Sequence, residues 1–297
     1  MRVILARRDR FVLWTFVLPA LLIILFAQGY PLAYSLVVSV MHWALADSDV
    51  PQGFVGLGNY LQVLQDPAFQ YACTICFVYM VVATTVEIVL GFVVGYVTVG
   101  QTIPLKVART LLIVPMIIAP VTVGIMWRMF LDGKYGLLNH ILGVVGIPGP
   151  NWLGDPRFAL WGTILLDIWE WTPFAMIIYV AAIGSISESV VEAARIDGAS
   201  SLHIIRRVVW PLVWPATILI LIFRMIDTFF VFDQIYTLTY GGPGTSTQVV
   251  SLYIYRQGLS YFNISQAAAA SSLVMIVSLA IAVLLLTIQR RAQRAVY

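Results

Sequence analysis

Five ionisable residues stand inside stretches that are otherwise apolar: Glu87, Asp167, Glu170, Arg224 and Asp227. An ionised group in a low-dielectric medium is costly, so such residues are either paired or used. Arg224 and Asp227 are three apart and can meet on one helix face. At 1.5 Å per helical residue, Glu170 lies roughly 20 Å from the C-terminal end of its apolar stretch and Arg224 roughly 15 Å from the N-terminal end of its own, both near mid-stretch, which makes a second candidate pair. Aromatic side chains surround these positions: Trp169, Trp171, Tyr179, Phe229 and Phe230. Glu87 keeps different company. Ala83, Glu87, Gly91 and Gly95 recur every four residues, and Gly91-x-x-x-Gly95 allows two helices to approach closely. Glu87, Gly91 and Gly95 therefore read as a helix-packing face. Glu87 is turned to protein there, either as a buried hydrogen-bonding group or as part of a transport site.

Other chemistries find little support. A phosphate loop needs GxxxxGK[ST], and neither Lys106 nor Lys134 sits in that context. The Gly-rich run 241–247 has no lysine. Cys73 and Cys76 form a CxxC without a second pair, which reads as two small apolar residues of one helix. His42, His140 and His203 fall in three different loops, with no metal-ligand spacing. No catalytic residue, metal site or cofactor is expected in this chain.

The elements that must position the buried charges follow from composition. Of 297 residues, 61% are hydrophobic and 10% charged, and mean hydropathy is +0.92. A soluble domain carries about 25% charged residues, so a soluble enzyme is excluded. The net charge of +3 is too small and scattered for nucleic-acid binding. Six apolar stretches each reach the roughly 20 residues that span a bilayer: 11–41, 72–99, 108–130, 158–183, 214–232 and 267–288. None shows strand alternation, so the expected class is all-α, a polytopic membrane protein with six transmembrane helices. The first stretch is over-long and holds Pro19 and Pro31, so it tilts or ends at the interface. Its Arg7-Arg8 start imitates a cleaved signal, but it is about twice the 7–15 residues of such a segment.

Positive charge orients the set. With the N-terminus inside, Arg2, Arg7, Arg8, Arg10, Lys106, Arg109, Arg195, Arg206, Arg207, Arg290, Arg291 and Arg294 all face the cytoplasm. These are 12 of the 17 lysines and arginines. Both termini are thus expected in the cytoplasm. The expected layout is a segment 1–10, a six-helix domain 11–290 with an inner loop 184–210, and a tail 291–297.

That loop is the most informative part of the chain. Ser189 and Glu192 have capping-box spacing. Val191, Ala194 and Ile196 give a short helix one apolar side, and Gly198 is placed to end it in the left-handed conformation. Ser200 or Ser201 can cap a second short helix, 202–209, which Pro211 follows. A lipid-surface helix favours bulky apolar groups with Lys and Arg, whereas the small alanines here suit close approach to a protein.

Glu192-Ala193-Ala194-x-x-Asp197-Gly198-Ala199, followed by Pro211 and Pro215, resembles the EAA motif of permeases in binding-protein-dependent ABC importers. Three further features agree with the MalF-like branch of the carbohydrate-uptake class: the run 232–243, the segment 251–255, and Trp169-x-Trp171-Thr172-Pro173-Phe174. The resemblance spans roughly residues 55–290. Ile205 stands where that family usually has Phe.

The resemblance implies a type I ABC importer permease fold in a prokaryotic inner membrane. The chain would be a transport subunit rather than an enzyme. ATP and Mg²⁺ would be bound by dimeric cytoplasmic ATPase partners. A second permease, in a heterodimer, and an extracytoplasmic solute-binding protein would complete the assembly. Glu192, Ala193, Ala194, Asp197, Gly198 and Ala199 would couple to the ATPase, with Gly198 setting the turn. The substrate would be a sugar, polyol or glycerol-phosphate-like solute. Glu170, Trp169, Trp171, Asp167, Arg224, Asp227, Phe230 and Tyr179 are then candidates to line its path. Carboxylates and guanidinium would bind hydroxyls, and aromatic faces would take the C–H side. A structural ion pair and plain packing explain the same residues. A proton-coupled secondary transporter and a membrane enzyme using the buried carboxylates are the alternatives from other classes. No inverted repeat supports the first.

Overall fold

The computed structural model describes residues 7–100 and 102–296, with side chains placed for 14–100 and 102–289. Most of the expected 1–10 segment, residue 297 of the tail and the side chains of the terminal arginines therefore lie outside the described residues. The chain divides into two compact units, Met1–Asp66 with Ile254–Met275, and Pro67–Tyr253 with Ile276–Tyr297.

In the first unit, α1 (Arg7–Ile24) runs through a π-helical turn at Leu25–Gly29 into α2 (Tyr30–Ser39). The π turn falls just before Pro31, whose ring and missing N–H disturb the ordinary helical bonding there. The stretch Trp14–Ser39 is long and apolar enough to cross a membrane, and no residue of its most apolar part is buried. A two-stranded antiparallel hairpin, β1 (Met41–His42) and β2 (Gln52–Phe54), and α3 (Gly58–Gln65) follow. Asn59 Nδ2 ties the hairpin to α2, donating to the carbonyls of Ser39 at 2.8 Å and Met41 at 2.7 Å. The first part of α14 (Ile264–Val296) belongs here, with the small residues Ala268, Ala269 and Ala270 buried.

In the second unit, α4 (Pro67–Thr98) is followed by α5 (Ile103–Ile117) and α6 (Pro120–Phe130). The expected third span is thus two helices, bent by 98°. The cause is local. Pro120 disfavours the helical conformation in the residue before it, and Ile118 and Ala119 are both extended. After α7 (Leu137–Val144), α8 (Pro156–Gly184) is capped by Asp155, which accepts a hydrogen bond from the backbone N–H of Arg157 at 2.9 Å. The same Arg157 holds the Asp155 carboxyl below the usual carboxylate range. This contribution to stability is present above the ordinary carboxyl pKa and is lost as pH falls through the lowered one.

The loop helices α9 (Glu188–Ile196) and α10 (Ser201–Ile204) precede α11 (Trp210–Phe229). The expected short helix 202–209 does not stop at Pro211. It passes through a π-helical turn, Ile205–Val209, and continues into α11. The wider register ahead of the proline accommodates the N–H that Pro211 lacks. The short helices α12 (Asp233–Leu238) and α13 (Val250–Tyr255) come before α14.

α4 and α8 pack side by side, and two stripes of residues spaced by four set their register. A Cβ added at Gly91 would collide with Ala175 and lie 3.0 Å from the Met176 backbone nitrogen; one at Gly95 would lie 3.0 Å from Tyr179 Cβ. Gly91 faces Ala175 and Gly95 faces Tyr179, so the helices run parallel. The same stripes carry Ala83 and Glu87 on α4, and Asp167 and Trp171 on α8. Glycine is thus required for space here. Gly91→Leu and Gly95→Leu are expected to lower the thermal unfolding temperature of the detergent-purified protein, with a cost of about 1–3 kcal/mol for overpacking. Gly143→Ala, where a Cβ would meet open space, should leave it unchanged.

Candidate functional site

Arg224, on α11, is 1% exposed and is the centre of a buried charge cluster. Its Nε donates to Glu87 Oε2 at 2.5 Å, and its Nη2 donates to Glu87 Oε1 at 2.7 Å. Nη2 also donates to Asp167 Oδ2 at 2.6 Å, and Nη1 donates to Asp227. The guanidinium carbon lies 4.9 Å from the centre of the Trp171 ring. One side chain of α11 thereby binds α4, through Glu87, and α8, through Asp167. Glu87 and Asp167 are buried, whereas the Asp227 side chain is 53% exposed. The cluster therefore opens to its surroundings at Asp227.

The expected Arg224–Asp227 pair is present, and the alternative pairing of Arg224 with Glu170 is replaced by Asp167. The register explains this. Asp167 and Trp171 lie on the stripe that faces α4, while Glu170, three residues from Asp167, is rotated about 60° away at 100° per residue. Glu170 is buried and accepts a hydrogen bond from Gln234 Nε2 of α12 at 3.1 Å. Glu87 belongs to the charge cluster as well as to the helix-packing face of Gly91 and Gly95.

The aromatic candidates separate into two groups. Trp171 covers Arg224, and Trp169 packs against Trp127 of α6 with ring centres 5.7 Å apart. Trp169 and Phe230 are exposed in part, and Phe229 and Phe230 meet edge to face. Tyr179 is elsewhere. It is fully buried beside Phe92, and its hydroxyl hydrogen-bonds Thr217 Oγ1 at 2.9 Å, joining α8 to α11. Gln234, Trp127 and Tyr79 were not singled out by sequence. Gln234 carries no charge, and the other two look like ordinary core aromatics until their neighbours are known.

Below this cluster, the ends of α4 and α8 approach the 184–210 loop. Val191, Ala194 and Ala199 pack onto a core that includes Tyr179, Ile183, Ile204 and Val213. Glu192, Ala193, Ile196, Asp197 and Gly198 face outward, with Ile196 85% exposed. Ile196 is therefore not on the apolar side of α9, because five helical steps turn it about 140° from Val191. The helix also starts earlier than the expected capping box. Glu188 is its first residue and Ser187 its cap position, without a capping side-chain bond. Ser189 Oγ instead pairs with Ser187 Oγ at 2.7 Å.

The C-terminus of α9 is sharply defined. Gly198 has φ +79°. Gly198 N–H donates to the Arg195 carbonyl and Ala199 N–H to the Ala194 carbonyl, both at 3.0 Å. This pair of bonds is a Schellman motif, which needs a left-handed residue at Gly198. Ser200 then caps α10, its Oγ accepting from His203 N–H at 3.4 Å. A groove of about 520 Å³ runs beside the turn, lined by Ala194, Asp197, Ser200, His203 and Arg207 among others.

Cys73 and Cys76 are free, one exposed and one buried, and the Cys76 thiol donates to the Phe229 carbonyl at 3.4 Å. Among the described residues no group of three His, Cys, Asp or Glu is arranged to hold a metal ion.

Five apolar helices, a broken helix pair and a buried charge cluster define a polytopic helical membrane protein. Its residues 80–296 match the family of binding-protein-dependent transport system inner membrane components, and the chain belongs to that family. It is 35% identical over 91% of its length to a probable ABC transporter permease of Sinorhizobium fredii, of which 87% is covered. The trehalose/maltose transport system permease MalF of Thermococcus litoralis is 33% identical, covering 77% of this chain and 78% of that protein. A bacterial ABC transporter that imports the acidic polysaccharide alginate contains a chain with the same fold. Its TM-score is 0.80, at 25% identity and 96% coverage of both chains. The chain is thus a multi-pass inner-membrane transport subunit with the type I importer permease fold, and not an enzyme.

Removing the centre of the charge cluster tests its structural weight. Arg224→Met strands Glu87 and Asp167, and breaking a buried pair in this way costs about 3–5 kcal/mol. A large loss of thermal stability in detergent is expected. The triple variant Arg224→Met, Glu87→Gln, Asp167→Asn should recover part of it.

Proposed function

We propose that this chain forms half of the translocation path of an ATP-driven, binding-protein-dependent importer for a sugar-class solute. Relatives named for trehalose and maltose transport support the solute class. A second permease, in a heterodimer, would supply the other half. A dimeric ATPase would bind ATP and Mg²⁺ in the cytoplasm, and an extracytoplasmic protein would deliver the solute. Trp169, Asp227 and Phe230 are the path candidates with exposed surface; Glu170 is a candidate buried against Gln234, and Asp167, Trp171 and Arg224 would hold the group in place.

The observation that carries the coupling reading is the two-sided geometry of α9. One side, Val191 and Ala194, is anchored in the core of the spans. The other presents Glu192, Ala193, Ile196 and Asp197 outward, on a helix ended by Gly198. A rigid rod clasped on one side and free on the other transmits a push from a partner to the helices behind it. Glu192 would make the charged contact, and Ala193 would allow close approach. Ala194 and Ala199 would transmit the load inward.

Gly198→Val and Glu192→Lys are expected to lower substrate-stimulated ATP hydrolysis of the reconstituted complex by at least about tenfold, the factor that ~1.4 kcal/mol represents. Insertion of the chain should persist, as read by its yield in membranes. Unchanged coupling in both variants would sink the proposal.

A further inference from the structure

We infer that the groove between α5 and α8 is a site for an anionic phospholipid. Its phosphate-bearing headgroup rests on Lys106 and Arg109, and an acyl chain follows the aliphatic wall beyond them. The inference is independent of which solute is carried.

The groove holds about 300 Å³, and its lining changes character along its length. On α5 the lining passes from Lys106 through Arg109 to Ile113, a single helix face at spacings of three and four. That is about 10 Å at 1.5 Å per residue. On α8 it is Met176, Ile177 and Val180, apolar throughout. Both cations are available. Lys106 is exposed, and among the described residues neither Lys106 nor Arg109 meets a carboxylate. Arg109 Nη2 donates to the Gly100 carbonyl at 2.8 Å, which holds the guanidinium beside the groove. Its other N–H groups have no partner among the described residues. Val99, just ahead of α5, packs onto the core that holds Ile183 and Ile204. The cations therefore lie at the end of the spans where the 184–210 loop emerges, level with the headgroups of one leaflet.

Charge and polarity together select the occupant. The distribution of lysine and arginine along the chain assigns this end to the cytoplasm. The leaflet there is negatively charged, and basic pockets between transmembrane helices at that surface take anionic headgroups. A phosphodiester accepts hydrogen bonds from both an ammonium and a guanidinium. A free phosphate would use the two cations and leave the wall of Ile113 and Ile177 without a partner, whereas a phospholipid uses both. A sugar is a poor fit. The one hydroxyl in the lining, Thr110 Oγ1, is spent on the Lys106 carbonyl at 3.0 Å. No residue of α5 is buried, and Val107, Leu111, Val114 and Ile117 are exposed around the helix, which suits surroundings of acyl chain.

The test uses the full chain purified in detergent and titrated with phosphatidylglycerol or with phosphatidylcholine of the same acyl chains. Native mass spectrometry reports the bound lipid. The expected result is that phosphatidylglycerol binds at least about tenfold more tightly, or ~1.4 kcal/mol, and is not displaced by millimolar inorganic phosphate. Lys106→Gln with Arg109→Gln should abolish the preference. Arg206→Gln with Arg207→Gln, an equal loss of charge at the same end, should keep it. Lys106→Gln alone removes an exposed side chain without a protein partner, so it decides the matter if the double variant does not fold; it should narrow the preference at least about threefold. Equal binding of the two lipids by the wild type, or equal loss of preference in the two double variants, would overturn the inference. Displacement by inorganic phosphate would make the groove a free-phosphate site and overturn it too. Bound lipid is also counted on the assembled importer, where its loss on assembly would give the groove to a partner subunit instead.

Discussion

The interior of this protein depends on one guanidinium. Arg224 is almost wholly buried, so its charge has to be met inside the bundle, and three carboxylates on three helices meet it. Taking these charges out of water is expensive, and each partner is tolerable only because the others are in place. The arrangement therefore acts less as a source of net stability than as a constraint on geometry. α4, α8 and α11 hold the cluster only in a register that brings Glu87, Asp167 and Asp227 to the same nitrogens.

The small residues on α4 make that register possible. Gly91 and Gly95 let the backbone of α8 come close, and one helical turn beyond Gly91 on the same stripe is Glu87. Polar and steric requirements thus fall on one line of residues spaced by four. On α8 the matching line runs from Asp167 through Trp171 and Ala175 to Tyr179. The Tyr179 hydroxyl, bonded to Thr217, then ties the far end of that line to α11. The same α8–α11 core receives Val191 and Ala194 of α9. The loop helix is in this way packed onto the helices that enclose the charges.

Sequence alone was sufficient for the number and rough limits of the apolar stretches, because hydropathy over 20 residues is a local property. It was also sufficient for the Gly198 turn. A left-handed residue at a helix end is a requirement on one residue's backbone, and glycine meets it without help from the rest of the fold. The break at Pro120 is equally local, but it was hidden inside a continuous apolar run. Hydropathy does not register a change of direction. The π turns before Pro31 and Pro211 escaped for a similar reason, since the prolines were visible but the response of the preceding turn was not.

Which buried charge met which was a tertiary decision. Glu170 and Asp167 are three residues apart and chemically alike, and depth along the span fits both as partners for Arg224. Rotation about the α8 axis separated them, and that rotation was set by packing against α4. Ile196 and Ala194 were divided in the same manner, one outward and one into the core. Sequence by itself determined that costly charges and a small-residue loop were present, because residue type and spacing are written in one dimension. Only the tertiary structure decided their partners, because a contact between helices depends on register and rotation that no single segment specifies.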